Sequence, residues 1–297
     1  MMETRAGFKP VDGGVLSGEA GTPSGEGHLA ATLTAKGMEE FNCGGVIHCI
    51  SAESGYGLSL SAAEKAMRIA YRFFEVVISF FVLLLTLPLM LLMAIIIKAD
   101  SPGPAFFFQR RVGRSELVAG RDLAASAKVK LSGRMPADGR TYWVPRTFPF
   151  VKFRTMYADA RQRFPELYDY NYSKEAIERI KFKVDNDPRI TRAGRWLRVS
   201  TLDELPNFWN VLTGDMRLVG PRPEIPEMLS NYRAPQMYKF TVKPGITGLA
   251  QINGRGRLSF QRTVDYDLEY VEKKSVLLDL KIIIMTVWRV VTKHGAF

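Results

Sequence analysis

Metal-binding and redox-active side chains are scarce in this chain, which has two cysteines and three histidines in 297 residues. Cys43 and Cys49 flank His48, a set one ligand short of a tetrahedral zinc site, so they read as ordinary thiols. His28, His48 and His294 form no ligand spacing, and the chain has neither a G-x-x-x-x-G-K-[ST] loop nor a strand-following G-x-G-x-x-G run. Zinc hydrolases, nicotinamide enzymes and histidine-dependent triads are therefore poor fits. No apolar core follows a basic start at the N-terminus, so no signal peptide is expected.

Negative charge is also in short supply, with 41 Lys and Arg against 30 Asp and Glu, and it is unevenly spread. Residues 1–60 hold three basic and seven acidic groups, which leaves the remainder at +15. Such a body favours anionic partners: nucleic acid, phosphorylated small molecules or an acidic membrane face. No nucleic-acid recognition signature accompanies the charge, so a nucleic-acid partner is not expected. Residues 1–60 also carry 12 of the 25 glycines and the run GTPSGEG, and they read as a tail without a packed core.

Between Val76 and Ile97 no charge occurs at all, and Glu75 is the one charge in the run from Phe73 to Ile97. As helix, 22 residues reach roughly 33 Å, enough for the hydrocarbon core of a bilayer. Pro88 removes a backbone donor inside that run, so a kink or break is expected near Leu84 to Pro88. Lys65, Arg68 and Arg72 precede the segment and Lys98, Arg110 and Arg111 follow it, which assigns both ends to the cytoplasmic side. A re-entrant hairpin broken at Pro88 satisfies both facts; a kinked spanning helix is the alternative. The reading is a membrane-associated segment over 61–104, a cytoplasmic domain over 105–297, and an insertion loop over 114–146 with strands near Val129 to Leu131 and Tyr142 to Val144.

Within the cytoplasmic part, FPFVKFRTM alternates as a strand with Lys152 and Arg154 on one face. Helices are expected over Tyr157 to Tyr168, Lys174 to Phe182 and Pro206 to Thr213, the last stopped by Gly214. Near the C-terminus Leu277, Leu280, Ile284, Trp288 and Val291 form a helical stripe, either covering the core or lying in the membrane interface, with Asp279 outside it. The fold class is α+β, mostly helical, with interfacial amphipathic helices.

The stretch STLDELPNFWNVLTGDMRLVGPRP carries the candidate chemistry. Asp203 and Glu204 stand at or just before a helix start at Pro206, where the helix dipole favours an ionised carboxylate. Thr201-x-x-Glu204 also matches a capping box, which would make the pair structural. Arg189, Arg192, Arg195 and Arg198 recur before the pair and Arg217 and Arg222 follow it, a density that suits phosphate oxygens. Arg222 lies between Pro221 and Pro223, which fix its backbone. KPGITGLAQIN adds a glycine-bearing turn with Thr247, Gln251 and Asn253, a weak phosphate-loop signal. Carboxylates beside phosphate-binding cations suit Mg²⁺.

With SPGPAFFFQRRVG, KFRTM, DPRITRAGRWLRVSTLDELPNFWNVLTGDMRLVGPRPE and KPGITGLAQINGRG in that order, the chain resembles the bacterial sugar transferases, the monotopic phosphoglycosyl transferases. The resemblance implies transfer of a phosphosugar from a UDP-sugar to undecaprenyl phosphate with release of UMP, at the cytoplasmic face of the bacterial inner membrane. It implies that Asp203 is the nucleophile of a covalent intermediate and that Glu204 supports it and an Mg²⁺ site held with Asp203. Arg222 and Arg198 match functional family positions, and Lys152, Arg154 and Arg195 are further candidates for phosphate binding. The pathways implied are exopolysaccharide, capsule, O-antigen or glycoprotein glycan assembly. The sugar is left open, and so is oligomeric state, a homo-oligomer being compatible with the sequence. Smaller family members place Ser-Pro at the helix break, where this chain has Leu87-Pro88 with Thr86 placed to bond back to the preceding turn. The 114–146 segment is longer than the usual connection.

Overall fold

The computed structural model describes residues 40–43, 47–52, 62–125, 139, 141–181, 184, 186–254 and 257–292. Two short strands, β1 (Glu40–Cys43) and β2 (Ile47–Ala52), precede the long helix α1 (Ala62–Asp100). Strands β3 (Phe106–Val112), β4 (Glu116–Ala119), β5 (Thr141–Val144) and β6 (Thr147–Phe153) follow, with helix α2 (Gly120–Ala125) after β4. The rest is mainly helical: α3 (Ala160–Arg163), α4 (Lys174–Arg179), α5 (Arg192–Ser200), α6 (Asn207–Thr213), α7 (Leu249–Gly254), α8 (Phe260–Lys273) and α9 (Val276–Val291). Strands β7 (Arg217–Val219) and β8 (Gly245–Thr247) interrupt it, and the mostly helical α+β expectation holds.

Among the described residues three small sheets organise the strands. β3 and β6 form an antiparallel ribbon in which Phe107 faces Lys152, Gln109 faces Phe150 and Arg111 faces Phe148. β7 and β8 pair in parallel, Arg217 with Gly245 and Val219 with Thr247. The third sheet runs β1-β2-β5-β4 and joins two segments far apart in the chain. It corrects the expectation of an unstructured 1–60 for Glu40–Cys43 and Ile47–Ala52, whose antiparallel pairing continues onto β5 of the 114–146 insertion. The β-branched, apolar text of Ile47 to Ile50 favours a strand, which the glycine count of the whole tail had masked. The expected strand at Tyr142 to Val144 is β5, whereas Val129 to Leu131 lies outside the described residues.

Helix α1 is long and apolar enough to cross a membrane. Of the expected kink or break, the break is absent: the helix runs through Pro88. The missing Pro88 N–H frees the Leu84 carbonyl, whereas the Thr86 hydroxyl donates one turn back to the Val82 carbonyl at 2.6 Å. Both ends of α1 dock on the same domain. At the first end Glu75, 1% exposed, accepts from Arg217 Nε at 3.2 Å and from the Leu218 N–H at 3.0 Å. Arg72 donates to Leu212 O at 3.0 Å, and the Tyr71 hydroxyl donates to Asp279 Oδ2 at 2.8 Å. At the other end Met93 and Ile97 pack with Phe153 and Leu197, while Asp100 Oδ2 accepts from the Ala193 N–H at 3.0 Å. Between these anchors Phe80, Phe81, Leu84, Leu85, Leu91 and Leu92 are exposed.

The expected helix over Tyr157 to Tyr168 is divided. Pro165 starts a separate 3₁₀ turn after α3 ends, because proline clashes with a continuing helix on its N-terminal side. The helix expected to reach Phe182 ends at Arg179. The helix before Gly214 stands, with Gly214 in the left-handed region at φ 88°.

In α9 the Leu277, Leu280, Ile284, Trp288, Val291 stripe points outward, from 51% exposure at Leu280 to 77% at Leu277. The helix covers the core with its other face, where Ile282 is buried and Leu278 and Ile283 pack beside Val211 and Tyr270. Asp279, outside the stripe as expected, lies on that inward face and is buried, accepting from Tyr71 and from the Tyr270 hydroxyl at 2.7 Å. A carboxylate can face inward when donors from other elements meet it there.

Replacing Glu75 with leucine leaves Arg217 and the Leu218 N–H without their acceptor. The expected loss is about 3 kcal/mol, read as a fall in thermal midpoint of the detergent-solubilised protein, and Glu75→Leu with Arg217→Leu together should recover part of it.

Candidate functional site

Asp203 and Glu204 share one 3₁₀ turn, Leu202–Glu204, between α5 and α6. The turn exists because α5 ends on Thr201 in the left-handed conformation, φ 64°, with the Thr201 N–H returned to Arg198 O at 3.3 Å. A β-branched residue rarely adopts that backbone, so the surrounding fold imposes it. The expected Thr201–Glu204 capping box does not form, since Thr201 makes no side-chain cap to this turn. Pro206 occupies the N-cap of α6, again without a side-chain bond. The carboxylates are thus free of the capping role that would have explained them.

Asp203 is buried, at 7% exposure. Burial and the adjacent Glu204 raise its pKa to about 6, against the opposing pull of Lys152, Arg198 and Arg222. The dyad sits one turn ahead of α6, and burial is the largest cause of the raised value. At neutral pH the carboxylate is still ionised, and poorly solvated. Lys152 shows the complementary effect, its pKa lowered to about 8 by burial, with Asp203 opposing that shift and Arg198, Arg111 and Arg222 adding to it.

Three elements deliver the cations. Lys152 stands on the ribbon face shared with Phe150 and Phe148, its ammonium 5.6 Å from the centroid of the Phe107 ring. Arg198 comes from the last turn of α5, its Nε donating to Thr155 Oγ1 at 3.0 Å. α5 approaches Thr155 so closely that a Cβ on Gly194 would lie 2.0 Å from the Thr155 carbonyl oxygen. Arg222 places Nη1 3.4 Å from Glu204 Oε1.

The Arg222 backbone is bolted from both sides. The Gly220 N–H donates to Thr247 O and the Gly245 N–H to Pro221 O, each at 2.9 Å, while Arg111 Nη1 donates to Pro223 O at 3.2 Å. A Cβ on Gly245 would sit 2.0 Å from Gly220 N, and one on Gly248 2.2 Å from Gly220 O. The glycines of KPGITG therefore serve backbone-on-backbone contact with the Arg222 loop. Thr247 and Asn253 bond within the fold, to Thr286 and to Leu249 O.

Two of the expected phosphate-binding residues do not join this cluster. Arg154 is buried and donates to the carbonyls of Ile97, Ser101 and Pro102, so it caps the end of α1. The strand stops at Phe153, so the alternation that put Arg154 on the Lys152 face does not extend to it. Arg195 is exposed on the outer side of α5 with Arg192, Trp196 and Val199. Arg189 pairs with Asp187 at 2.8 Å and Arg217 with Glu75, both structural. Arg111 was missed. It lies with Glu204, Arg222, Phe150, Met216 and Ile246 around a small crevice that opens to solvent. Its signal was the two-residue alternation Phe107, Gln109, Arg111, but only the pairing register brings that face to the dyad.

A profile of the family described as bacterial sugar transferase matches residues 66–119 and 127–293, most of the chain and every element of this site. The chain belongs to the bacterial sugar transferase family. Among relatives, the UDP-galactose-lipid carrier transferase of Erwinia amylovora is 32% identical over 81% of this chain and 44% of its own length. The undecaprenyl-phosphate glucose phosphotransferase of Komagataeibacter xylinus is 36% identical over 76% and 36%. The exopolysaccharide production protein ExoY of Rhizobium meliloti is 31% identical over 77% and 88%. The chain thus spans less than half of the first two relatives and most of the third.

No group of three or more His, Cys, Asp or Glu side chains suited to a metal ion occurs among the described residues. A buried Asp203 with a partly exposed Glu204 is the two-carboxylate set that Mg²⁺ uses when substrate phosphates and water complete its shell.

In pH-difference infrared spectra, taken as wild type minus Asp203→Asn, the Asp203 carboxylate is expected to titrate with a midpoint of about 6. Lys152→Met should raise that midpoint and Glu204→Gln should lower it; a midpoint indifferent to Lys152 would mean that the two groups do not face each other.

Proposed function

We propose that this member of the sugar transferase family moves a sugar 1-phosphate from a UDP-sugar to undecaprenyl phosphate. The observation that carries the reading is a buried, uncapped carboxylate met by Lys152, Arg198 and Arg222 on a domain held to an apolar helix. A poorly solvated carboxylate is a better nucleophile than a hydrated one, and surrounding cations suit a centre whose oxygens gain negative charge during displacement.

In the first half-reaction an Asp203 oxygen attacks the β-phosphorus. The bond from that phosphorus to the bridging oxygen breaks, and UMP departs with the electron pair. In the second, a phosphate oxygen of undecaprenyl phosphate attacks the same phosphorus, the Asp203 oxygen leaves, and undecaprenyl diphosphate sugar forms with the carboxylate restored. Arg222, fixed at both flanks, and Arg198, oriented by Thr155, hold phosphate oxygens, while Lys152 balances charge beside Asp203. Asp203 and Glu204 would hold Mg²⁺, which supplies further charge neutralisation to the diphosphate.

Membrane insertion from one side accounts for the anchoring of α1. From Glu75 to Asp100 the helix reaches about 37 Å, yet both ends bond to one domain, which a helix crossing the bilayer would have to straddle. The exposed stripe of α9 and the exposed Trp196 and Trp209 suit the headgroup layer. Phe107, beneath Lys152, offers an apolar surface beside a cation, the pairing that a lipid phosphate presents in reverse. The domain then lies on the cytoplasmic face of the inner membrane, and the reaction is the first membrane-bound step of a glycan such as an exopolysaccharide. Galactose and glucose are the leading sugars, from the names of the relatives.

The test is UMP release from a panel of UDP-sugars, with Mg²⁺ and undecaprenyl phosphate, by wild type and Asp203→Asn. Wild type should release UMP from at least one sugar and show a phosphosugar adduct by intact mass. Asp203→Asn should lose at least about a thousandfold in rate and form no adduct. Release that persists in Asp203→Asn would sink the mechanism.

A further inference from the structure

Behind the Arg222 loop runs a buried chain of polar side chains that the mechanism above does not use. Lys239 and Asp267, each about 1% exposed, form an ion pair at 2.8 Å. Lys239 Nζ also donates to the Tyr232 hydroxyl at 3.0 Å, and that hydroxyl lies 3.0 Å from Glu224 Oε2. The other carboxylate oxygen of Glu224 accepts from the Ile225 N–H at 3.0 Å. An ammonium can only donate, so the Tyr232 oxygen is the acceptor from Lys239 and its proton is directed at Glu224. The ring cannot swing away: it packs edge-on against Phe240 and Phe260, with centroids 5.3 and 4.9 Å distant.

Glu224 stands two residues beyond Arg222, where its backbone bridges to Val112. In extended chain, residues two apart share a face. Its charge bears on Arg222 and on Arg111, the two guanidinium groups that line the crevice with Glu204. A Glu224 carboxylate free to turn would compete with an incoming phosphate for Arg222. Both of its oxygens are engaged instead.

We infer that Tyr232 is a positioning residue: with Lys239 behind it, its hydroxyl holds the Glu224 carboxylate in the fold and keeps a second carboxylate, beyond Glu204, from the Arg222 guanidinium that an anionic substrate meets. The inference rests on the transferase reading for the identity of that substrate, a nucleoside diphosphate sugar. Tyr232 touches none of the reacting atoms and acts through Glu224 and Arg222.

The experiment measures UDP affinity by titration calorimetry and UDP-sugar kinetics on the full chain in detergent or nanodiscs. Tyr232→Phe keeps the ring packing and removes only the hydroxyl. It should weaken UDP binding and raise the donor KM about tenfold, with kcat within about twofold, since one competing ion pair of that strength is released. Adding Glu224→Gln to Tyr232→Phe should restore the affinity to within about threefold of wild type, because a neutral amide does not compete for a guanidinium; a purely structural role for Tyr232 would not be rescued this way. Lys239→Met with Asp267→Leu, which removes the buried pair at similar volume, should reproduce the weakening in a folded protein. Wild-type affinity in Tyr232→Phe, or a weakening that Glu224→Gln leaves in place, overturns the inference. A wild-type protein that binds no nucleoside diphosphate removes the transferase reading and this inference together, so the two failures are distinguishable.

Discussion

The arrangement depends on one buried carboxylate. Glu75 is the single charge in the apolar run, and it is also the point where that run meets the catalytic domain. Taking it out of water is tolerable only because Arg217 and the Leu218 N–H are waiting in β7, more than 140 residues later in the chain. β7 leads directly into Gly220 and the Arg222 loop, and its parallel partner β8 supplies the glycine that lets the two backbones touch. One ion pair therefore links the depth of the apolar helix to the place of Arg222. Tyr71, Asp279 and Tyr270 extend the same junction to α8 and α9.

The site itself is a balance of opposing effects rather than a collection of contacts. Desolvation and Glu204 push Asp203 toward its neutral form, and three cations pull it back. The same burial pushes Lys152 toward its neutral form as well, which for an ammonium means a lowered pKa. Each member alone would be costly to bury, and together they keep a weakly hydrated anion available near neutral pH. Rigid backbone maintains that balance: the left-handed Thr201, the close approach of Gly194 to Thr155 and the double clamp on Pro221 and Pro223 leave these charges little room to rearrange.

The dyad and its two best arginines were legible because Arg198 to Arg222 is one contiguous stretch punctuated by Pro206, Gly214 and two further prolines. Lys152 was legible through strand alternation, and Arg154 was misread by the same rule because the strand ends between them. Arg111 needed the β3–β6 register, which no local pattern encodes. In α9 the period correctly grouped the apolar residues, but a period says only that they share a face and not whether that face meets protein or lipid. Asp279 turned inward because Tyr71 and Tyr270 meet it there, a fact of tertiary structure. The arginine array looked uniform in the sequence, yet Arg189 and Arg217 neutralise buried acids while Arg198 and Arg222 stand at the dyad. Paired and available arginines are written with the same letter.

Fastening both ends of α1 to one rigid body also removes a freedom that ordinary membrane helices have. A helix anchored at one end meets a thicker or thinner bilayer by tilting, at a modest cost per ångström of mismatch. Here Glu75 and Tyr71 at one end, and Asp100 with the Arg154-capped carbonyls at the other, leave no such adjustment. The lipid must do the accommodating, thinning or thickening around a wedge of fixed shape. With the one-sided insertion proposed above, the protein is in this respect a gauge of the leaflet it enters, and acyl-chain length and lateral pressure become variables that act on it mechanically.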